Sequence, residues 1–218
     1  MESRPATPAD ADLVATCLHL AFASDPVWGL ALRRPDGATD HHHDYWRLFI
    51  DGALRYGTVF MTLGGEAVSV WLPPGGAELA DDQHDALSRV LSENLTADDQ
   101  VALFELYERF AASRAPLPDH YYLSMLGTHP DHRGRGVGQV LLATDLVRWD
   151  AQRTPTYLES SNAGNNHRYE RLGYRPIGGF SAVRDDTWIS AMWRDSTTRS
   201  STRRSSSVAG HVAIDQAF

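Results

Sequence analysis

Gly127-Thr128-His129-Pro130-Asp131-His132-Arg133-Gly134-Arg135-Gly136-Val137-Gly138 is the stretch whose reading decides the fold. It closes a strand-like run, Tyr121 to Thr128, and opens a helical pattern from about Gly138 to Asp150 with Leu142, Leu146 and Trp149 at i, i+4 and i+7. Alternating glycines let backbone N–H groups converge on one point, and the N-terminus of the helix that follows adds positive partial charge. A strand, a Gly/Arg loop and a helix in this order predict a bound phosphate or pyrophosphate.

Three kinds of phosphate loop compete for this segment. The Walker type fails, because it needs Gly-Lys-Ser/Thr and the chain has no lysine: all 20 basic residues are Arg. The same absence excludes Schiff-base chemistry and the kinase strand lysine. A dinucleotide loop stays open as the second choice. Gly134 and Gly136 match its first two glycines and Glu159 lies about 20 residues further on, but Gln139 stands where the third glycine belongs. The third form, Arg-x-x-Gly-x-Gly, is satisfied by Arg133, Gly136 and Gly138.

Outward from the loop the chain alternates elements. Toward the N-terminus, a short extended piece leads into a helix capped by Thr7, with Leu13, Cys17 and Leu20 on one face, that ends near Ser24-Asp25-Pro26. A second helix is predicted from about Asp40 to Tyr56. Thr58 to Leu63 and Ala67 to Leu72 form a hairpin around Gly64-Gly65-Glu66, and Pro73-Pro74 ends it. Two helices fill Asp82 to Ser113, broken near Asn94 and restarted at Thr96 by an acidic first turn. Beyond the loop helix, Thr156 to Glu159 reads as a strand, Asn165 to Leu172 as a short helix, and Tyr174 to Ile177 and Thr187 to Trp193 as strands. The expected class is α/β, a mixed and mostly antiparallel sheet flanked by helices. Residues 1–194 form the domain, and 195–218, rich in Ser and Arg, a disordered tail.

Composition narrows the function. At 218 residues, 42% hydrophobic with six Trp, the chain fills one core. A net charge of −8 argues against nucleic acid as the main partner. A lone cysteine, Cys17, permits neither an internal disulfide nor a Cys-based zinc site, and no apolar run spans a membrane. The expected setting is cytoplasmic, as a monomer or homodimer. His41-His42-His43-Asp44 is not read as a metal site, since consecutive helical residues point in different directions.

A second block, Tyr157-Leu158-Glu159-Ser160-Ser161-Asn162-Ala163-Gly164-Asn165-Asn166-His167-Arg168-Tyr169-Glu170-Arg171-Leu172-Gly173-Tyr174, follows the loop at the distance expected of a paired motif. Together the two resemble the GNAT superfamily of acyl-CoA-dependent N-acyltransferases. Ala21-Phe22 with Asp25-Pro26, Val70-Trp71-Leu72-Pro73-Pro74 and Leu158-Glu159-Ser160-Ser161 extend the likeness over residues 1–194, and it is nearest to puromycin N-acetyltransferase-like small-molecule acetyltransferases. The resemblance implies that Arg133, Gly134, Arg135, Gly136, Val137, Gly138 and Gln139 hold the pyrophosphate of acetyl-CoA, Leu126, Gly127 and Thr128 its pantetheine, and Asn165 and Tyr169 its thiol end. It also implies an amine acceptor such as an antibiotic or an intermediate in making one. His167-Arg168 departs from the small, apolar residues of the family at that point, which puts the acceptor rather than the donor in question.

Acyl transfer from a thioester to an amine needs a base for the amine, donors for the oxyanion and an acid for the leaving thiolate. A tyrosine phenol, pKa about 10, can protonate a thiolate near 8.5, so Tyr169, at the position the resemblance implies, is chemically suited as the acid. Backbone N–H groups around Gly127 and Thr128 could hold the oxyanion if the strand edge there is unpaired. Asp25, Glu159, His43 and His167 are the alternatives for the base, with Glu159 carried forward as a catalytic residue. Asp25, Trp28, Tyr45, Trp71 and Tyr121, with Trp46 beside Tyr45, are assigned to the acceptor cleft. Other acyl thioesters, a peptide amine, or a non-catalytic acyl-CoA sensor stay open as alternatives.

Overall fold

The computed structural model describes residues 2–197; the tail expected from 195 lies outside the described residues from 198 onward. Seven strands form one sheet: β1 (Ser3–Pro5), β2 (Val59–Thr62), β3 (Ala67–Leu72), β4 (Tyr121–Thr128), β5 (Thr156–Ser160), β6 (Arg175–Ser181) and β7 (Trp188–Arg194), in the spatial order β1-β2-β3-β4-β5-β7-β6. Neighbours are antiparallel except β4 and β5, which run parallel. The helices are α1 (Ala11–Phe22), α2 (Trp28–Ala31), α3 (His41–Leu54), α4 (His84–Asn94), α5 (Ala97–Arg114), α6 (Val137–Ala151) and α7 (Asn166–Glu170). Among the described residues no helix is long and apolar enough to cross a membrane.

Strand alternation divides the apolar residues between two cores. Val68, Val70 and Leu72 of β3 face α1, α3, α4 and α5, whereas Ala67 and Trp71 face α6. Local chemistry fixes the helix ends. Thr96 Oγ1 accepts from Asp99 N at 3.2 Å while Asp99 reaches back to Thr96 N at 3.3 Å, a capping box worth about 1 kcal/mol that starts α5 where the acidic turn predicted it. Gly136 caps α6 at φ 74°, a left-handed conformation that residues with a Cβ rarely adopt.

Buried polar knots tie α6 to the sheet. The Asp145 carboxylate, with none of its side chain exposed, accepts from Ser69 Oγ at 2.6 Å and Trp71 Nε1 at 3.1 Å and pairs with Arg148. Burial pushes it up to about 6 in spite of these donors. At the far end of α6, Asp150 takes two bonds from Arg194, at 2.8 and 2.7 Å.

The structure differs from the sequence reading in four places. Helix α1 buries Val14, Cys17 and Leu18 and leaves Leu13 exposed, so its core face is not the expected Leu13, Cys17 and Leu20. Helix α2 has only one turn, too short to show an apolar period. Strand β6 continues past Ile177 through Gly178-Gly179-Phe180-Ser181, a glycine pair that reads as a loop; a Cβ at Gly179 would lie 2.2 Å from the carbonyl of Ile189, so strand β7 approaches closely there. And the chain is still held beyond 194: Thr197 gives Asp150 hydrogen bonds of 2.9 Å from its N–H and 2.6 Å from its hydroxyl.

Candidate active site

The parallel pair creates the opening. β4 and β5 are paired only where Tyr121, Tyr122 and Leu123 face Thr156, Tyr157 and Leu158. Beyond that, β4 follows β3 and β5 follows β7, and the two separate. A register shift against β3 makes Ser124 the extra residue of a bulge, which turns the strand at the point of separation. His129 N donates to Glu66 O on the β3 side at 2.9 Å. With the strand's alternation, Gly127 N–H also turns toward β3, and the N–H groups of Leu126 and Thr128 face the open side. The expected edge donor Gly127 is therefore replaced by Leu126, with Thr128 kept.

The opening meets a cavity of about 420 Å³ on the α1–α5 face. Its walls are aromatic: Trp28 from α2, Tyr45, Trp46 and Phe49 from α3, Phe104, Tyr107 and Phe110 from α5, and Tyr122 from β4. Trp28 stacks on Phe110 with centroids 5.6 Å apart, and the hydroxyls of Tyr45 and Tyr107 join at 2.5 Å. Ser124 and Met125 of β4 and Glu159 of β5 complete the wall at the strand separation.

Glu159 is the unusual group. Its side chain is 0% exposed, Tyr157 Oη donates to its Oε1 at 2.8 Å, and its Oε2 has no hydrogen-bond partner. Arg114 at the end of α5 lies 3.9 Å from Oε2, pairs with Glu78 at 3.3 Å and stacks on the Tyr122 ring at 4.2 Å. Burial pushes Glu159 up to about 7, against the opposing pull of Arg114 and the Tyr157 hydrogen bond. Burial also raises Glu78. Two carboxyls thus share one guanidinium. Neither Arg114 nor Glu78 was singled out from sequence: each looks like an ordinary surface residue, and only the fold places them beside Glu159.

The phosphate-loop residues sit together at the other end of the opening. Gly134 and Gly136 adopt φ 76° and 74° and point no Cβ position at any neighbour within 4 Å, whereas a Cβ at Gly138 would meet Thr128 Oγ1 at 2.5 Å. Among the described residues, no hydrogen bond takes up the N–H of Gly134, Arg135 or Gly136. They and the free N–H groups of the first turn of α6, at Val137, Gly138 and Gln139, form a cradle of donors that fits a pyrophosphate. Arg133 reaches across to the carbonyl of Ala21 at 2.8 Å, fastening the loop to the last turn of α1.

Asp25 and Tyr169 lie near enough to each other for the Asp25 charge to raise the phenol. Asp25 accepts from Ser161 Oγ at 2.7 Å and from the N–H groups of Val27 and Trp28 at 3.0 Å, so it joins the end of β5 to the α2 wall. Burial raises its pKa against those donors. Tyr169, partly buried on α7 against Tyr174, is pushed up to about 12 by burial first and by Asp25 second. Asn165 occupies the N-cap position of α7 without a capping bond from its side chain, and Asn166 Nδ2 donates to Ser190 Oγ at 2.9 Å.

Two of the expected acceptor residues are elsewhere. Trp71 is 0% exposed on the α6 face, held by Asp145, and Tyr121 stacks on Trp149 at 3.7 Å on that same face. The neighbour of Tyr121, Tyr122, is the one that reaches the cavity. His41 and His42 both direct Nε2 to the Leu32 carbonyl, at 2.8 and 3.0 Å, and among the described residues no group of three metal-ligating side chains occurs. Cys17 is buried in the α1 face, its thiol pushed up to about 12 by burial, which makes it a poor nucleophile.

The chain is similar to known proteins in sequence and in fold. Residues 91–176 match the acetyltransferase (GNAT) domain family. Among solved structures, the chain is similar to a protein of Corynebacterium glutamicum described as histone acetyltransferase HPA2 and related acetyltransferase, at 25% identity and TM-score 0.61, covering 91% of this chain and 97% of that one. It shares its fold with arylalkylamine N-acetyltransferase 2 of Aedes aegypti (12% identity, TM-score 0.60, covering 90% and 99%) and with the polyamine N-acetyltransferase of Drosophila melanogaster (15%, 0.59, covering 88% and 96%).

Proposed function

We propose that this chain, a GNAT acetyltransferase by its matched domain and its fold, moves the acetyl group of acetyl-CoA to the amine of an aromatic small molecule. The observation that carries the reading is the aromatic cavity whose wall ends in buried Glu159 at the strand separation, opposite the donor-rich loop. The cavity volume suits a drug-sized ligand, and the rings bury its apolar surface and favour a cationic amine near their faces. Walls of this kind suit an arylalkylamine better than a flexible polyamine. An antibiotic or biosynthetic intermediate with an aryl group near its amine meets the same description.

Acetyl-CoA supplies the activated thioester; the rest is work for this chain's residues. The loop 133–139 and the α6 N-terminus bind its pyrophosphate. The N–H groups of Leu126 and Thr128 line the open edge of β4, where they can stabilise the oxyanion. Glu159, with a pKa near neutrality, accepts the proton lost by the attacking nitrogen, directly or through one water. Tyr169, its phenol raised by burial, stays protonated at working pH and gives its proton to the departing sulfur.

The test mixes purified protein and acetyl-CoA with 2-phenylethylamine, putrescine or a lysine-containing peptide and detects acetylated product by mass spectrometry. Acetylation of 2-phenylethylamine well above the others is expected. Preference for putrescine or the peptide would overturn the acceptor assignment, and tight CoA binding with no product from a broad amine panel would make the protein a sensor.

A further inference from the structure

Glu159 must lose each proton it gains, and its surroundings close the obvious exits. The side chain is wholly buried, and on its Oε2 side stands the Arg114 guanidinium, a cation that repels an excess proton. An aromatic acceptor filling the cavity excludes water from that side as well. On the Oε1 side a chain of hydroxyls leads away: Tyr157 Oη donates to Glu159 Oε1 at 2.8 Å, and Ser113 Oγ lies 2.8 Å from Tyr157 Oη. Because the single phenolic hydrogen of Tyr157 is committed to Glu159, Ser113 must be the donor to Tyr157. Ser113 is half-buried on α5, within reach of solvent.

We propose that Tyr157 and Ser113 are a proton relay that returns Glu159 to its basic form after each turnover. The inference rests on the assignment of Glu159 as the base. Once protonated, Glu159 turns its O–H to Tyr157 Oη, and the two hydroxyls turn outward. The Glu159 proton then passes to Oη as the phenolic proton passes to Ser113 Oγ and the serine proton to surface water. One O–H bond breaks and one forms at each of the two hydroxyl oxygens, the Glu159 oxygen loses its O–H bond and the surface water gains one, so the product is a carboxylate and a hydrated proton. The end state is the arrangement observed, Ser113 donating to Tyr157 and Tyr157 to Glu159. Neither residue touches substrate; both act through Glu159 as positioning residues. The charged and titratable groups facing Glu159 are Arg114 from α5, Tyr157 from β5, Tyr122 from β4 and Glu78 from the loop before α4.

The experiment uses the full chain, acetyl-CoA and 2-phenylethylamine, with Ser113→Ala, Ser113→Thr, Tyr157→Phe and Glu159→Gln, in H2O and D2O. Ser113→Ala is expected to lower kcat about tenfold with the KM for acetyl-CoA unchanged and to increase the solvent isotope effect on kcat, because proton release becomes limiting. Ser113→Thr restores both, and Tyr157→Phe reproduces the loss with a normal melting temperature. If Glu159→Gln abolishes turnover while Ser113→Ala keeps kcat within about twofold and its isotope effect unchanged, the relay is wrong and the base stands. If Glu159→Gln turns over like wild type, or wild type does not acetylate this amine, the assignment beneath the relay fails too.

Discussion

Glu159→Gln should make the protein more stable as the pH rises. In the folded chain the carboxyl sits at about 7 instead of its ordinary 4.5, chiefly through burial. Between those values the folded state binds the proton more tightly than the unfolded state, so the free energy of unfolding falls as the pH rises through that window. The displacement from 4.5 to about 7, at about 1.36 kcal/mol for each factor of ten, amounts to about 3 kcal/mol by pH 8. With the side chain 0% exposed, solvent screens little of it. Glutamine is close in shape to the neutral acid: its carbonyl can accept the Tyr157 hydrogen bond and it carries no charge to desolvate. Wild type and variant should have similar stability at pH 4, and the variant should lead by up to about 3 kcal/mol at pH 8, measured as urea unfolding free energies across that range. An equal gap at every pH, or a variant less stable at pH 8, would show that burial of Glu159 carries no desolvation cost in the folded state.

Three further outcomes follow from other parts of the structure. Gly136→Asp puts a Cβ at φ 74° and a carboxylate on the N-cap of α6, so CoA affinity by calorimetry should drop at least tenfold; unchanged affinity would remove the loop as the pyrophosphate site. Tyr169→Phe keeps the ring and should leave CoA affinity alone while kcat falls 10² to 10⁴-fold, and a kcat within about twofold of wild type would return Tyr169 to a packing role. Burial of Asp150 is outweighed by its bonds from Arg194 and Thr197, which hold it down to about 2, so it contributes stability above pH 4 that is lost as the pH falls toward 2. Asp150→Asn should therefore cost about 2 kcal/mol at pH 7 and little at pH 2, as read from melts at both pH values.

The sheet, the hairpin and the strand-loop-helix unit were legible because each has a local signature. Gly136 at the start of α6 and Thr96 at the start of α5 do their work within a few residues of themselves. The acceptor cavity was only partly legible. Trp28 and Tyr45 line it, but Trp71 and Tyr121 were assigned to it by residue type, and type does not say which face of a strand a side chain takes. The bulge at Ser124 shifts the register of β4 against β3, and only the folded sheet shows that Tyr122 rather than Tyr121 faces the rings. Glu159 was one carboxylate among several until burial and Arg114, 45 positions earlier in the chain, distinguished it. Arg114 and Glu78 carry no motif, so their part in the site depends wholly on long-range packing.

The cavity, Glu159 and amine acetylation meet in one pH series. kcat/KM for 2-phenylethylamine at saturating acetyl-CoA, measured from pH 5.5 to 8.5 in wild type and Glu159→Gln, should rise in wild type through a midpoint of about 7 as Glu159 ionises. An alkylammonium with a pKa near 10 makes a steady contribution to the slope over this range in both proteins, so the difference between them isolates the carboxyl. A midpoint of about 7 is expected, one that disappears in Glu159→Gln along with at least a hundredfold of the rate at pH 8. The same curve in both proteins would contradict it.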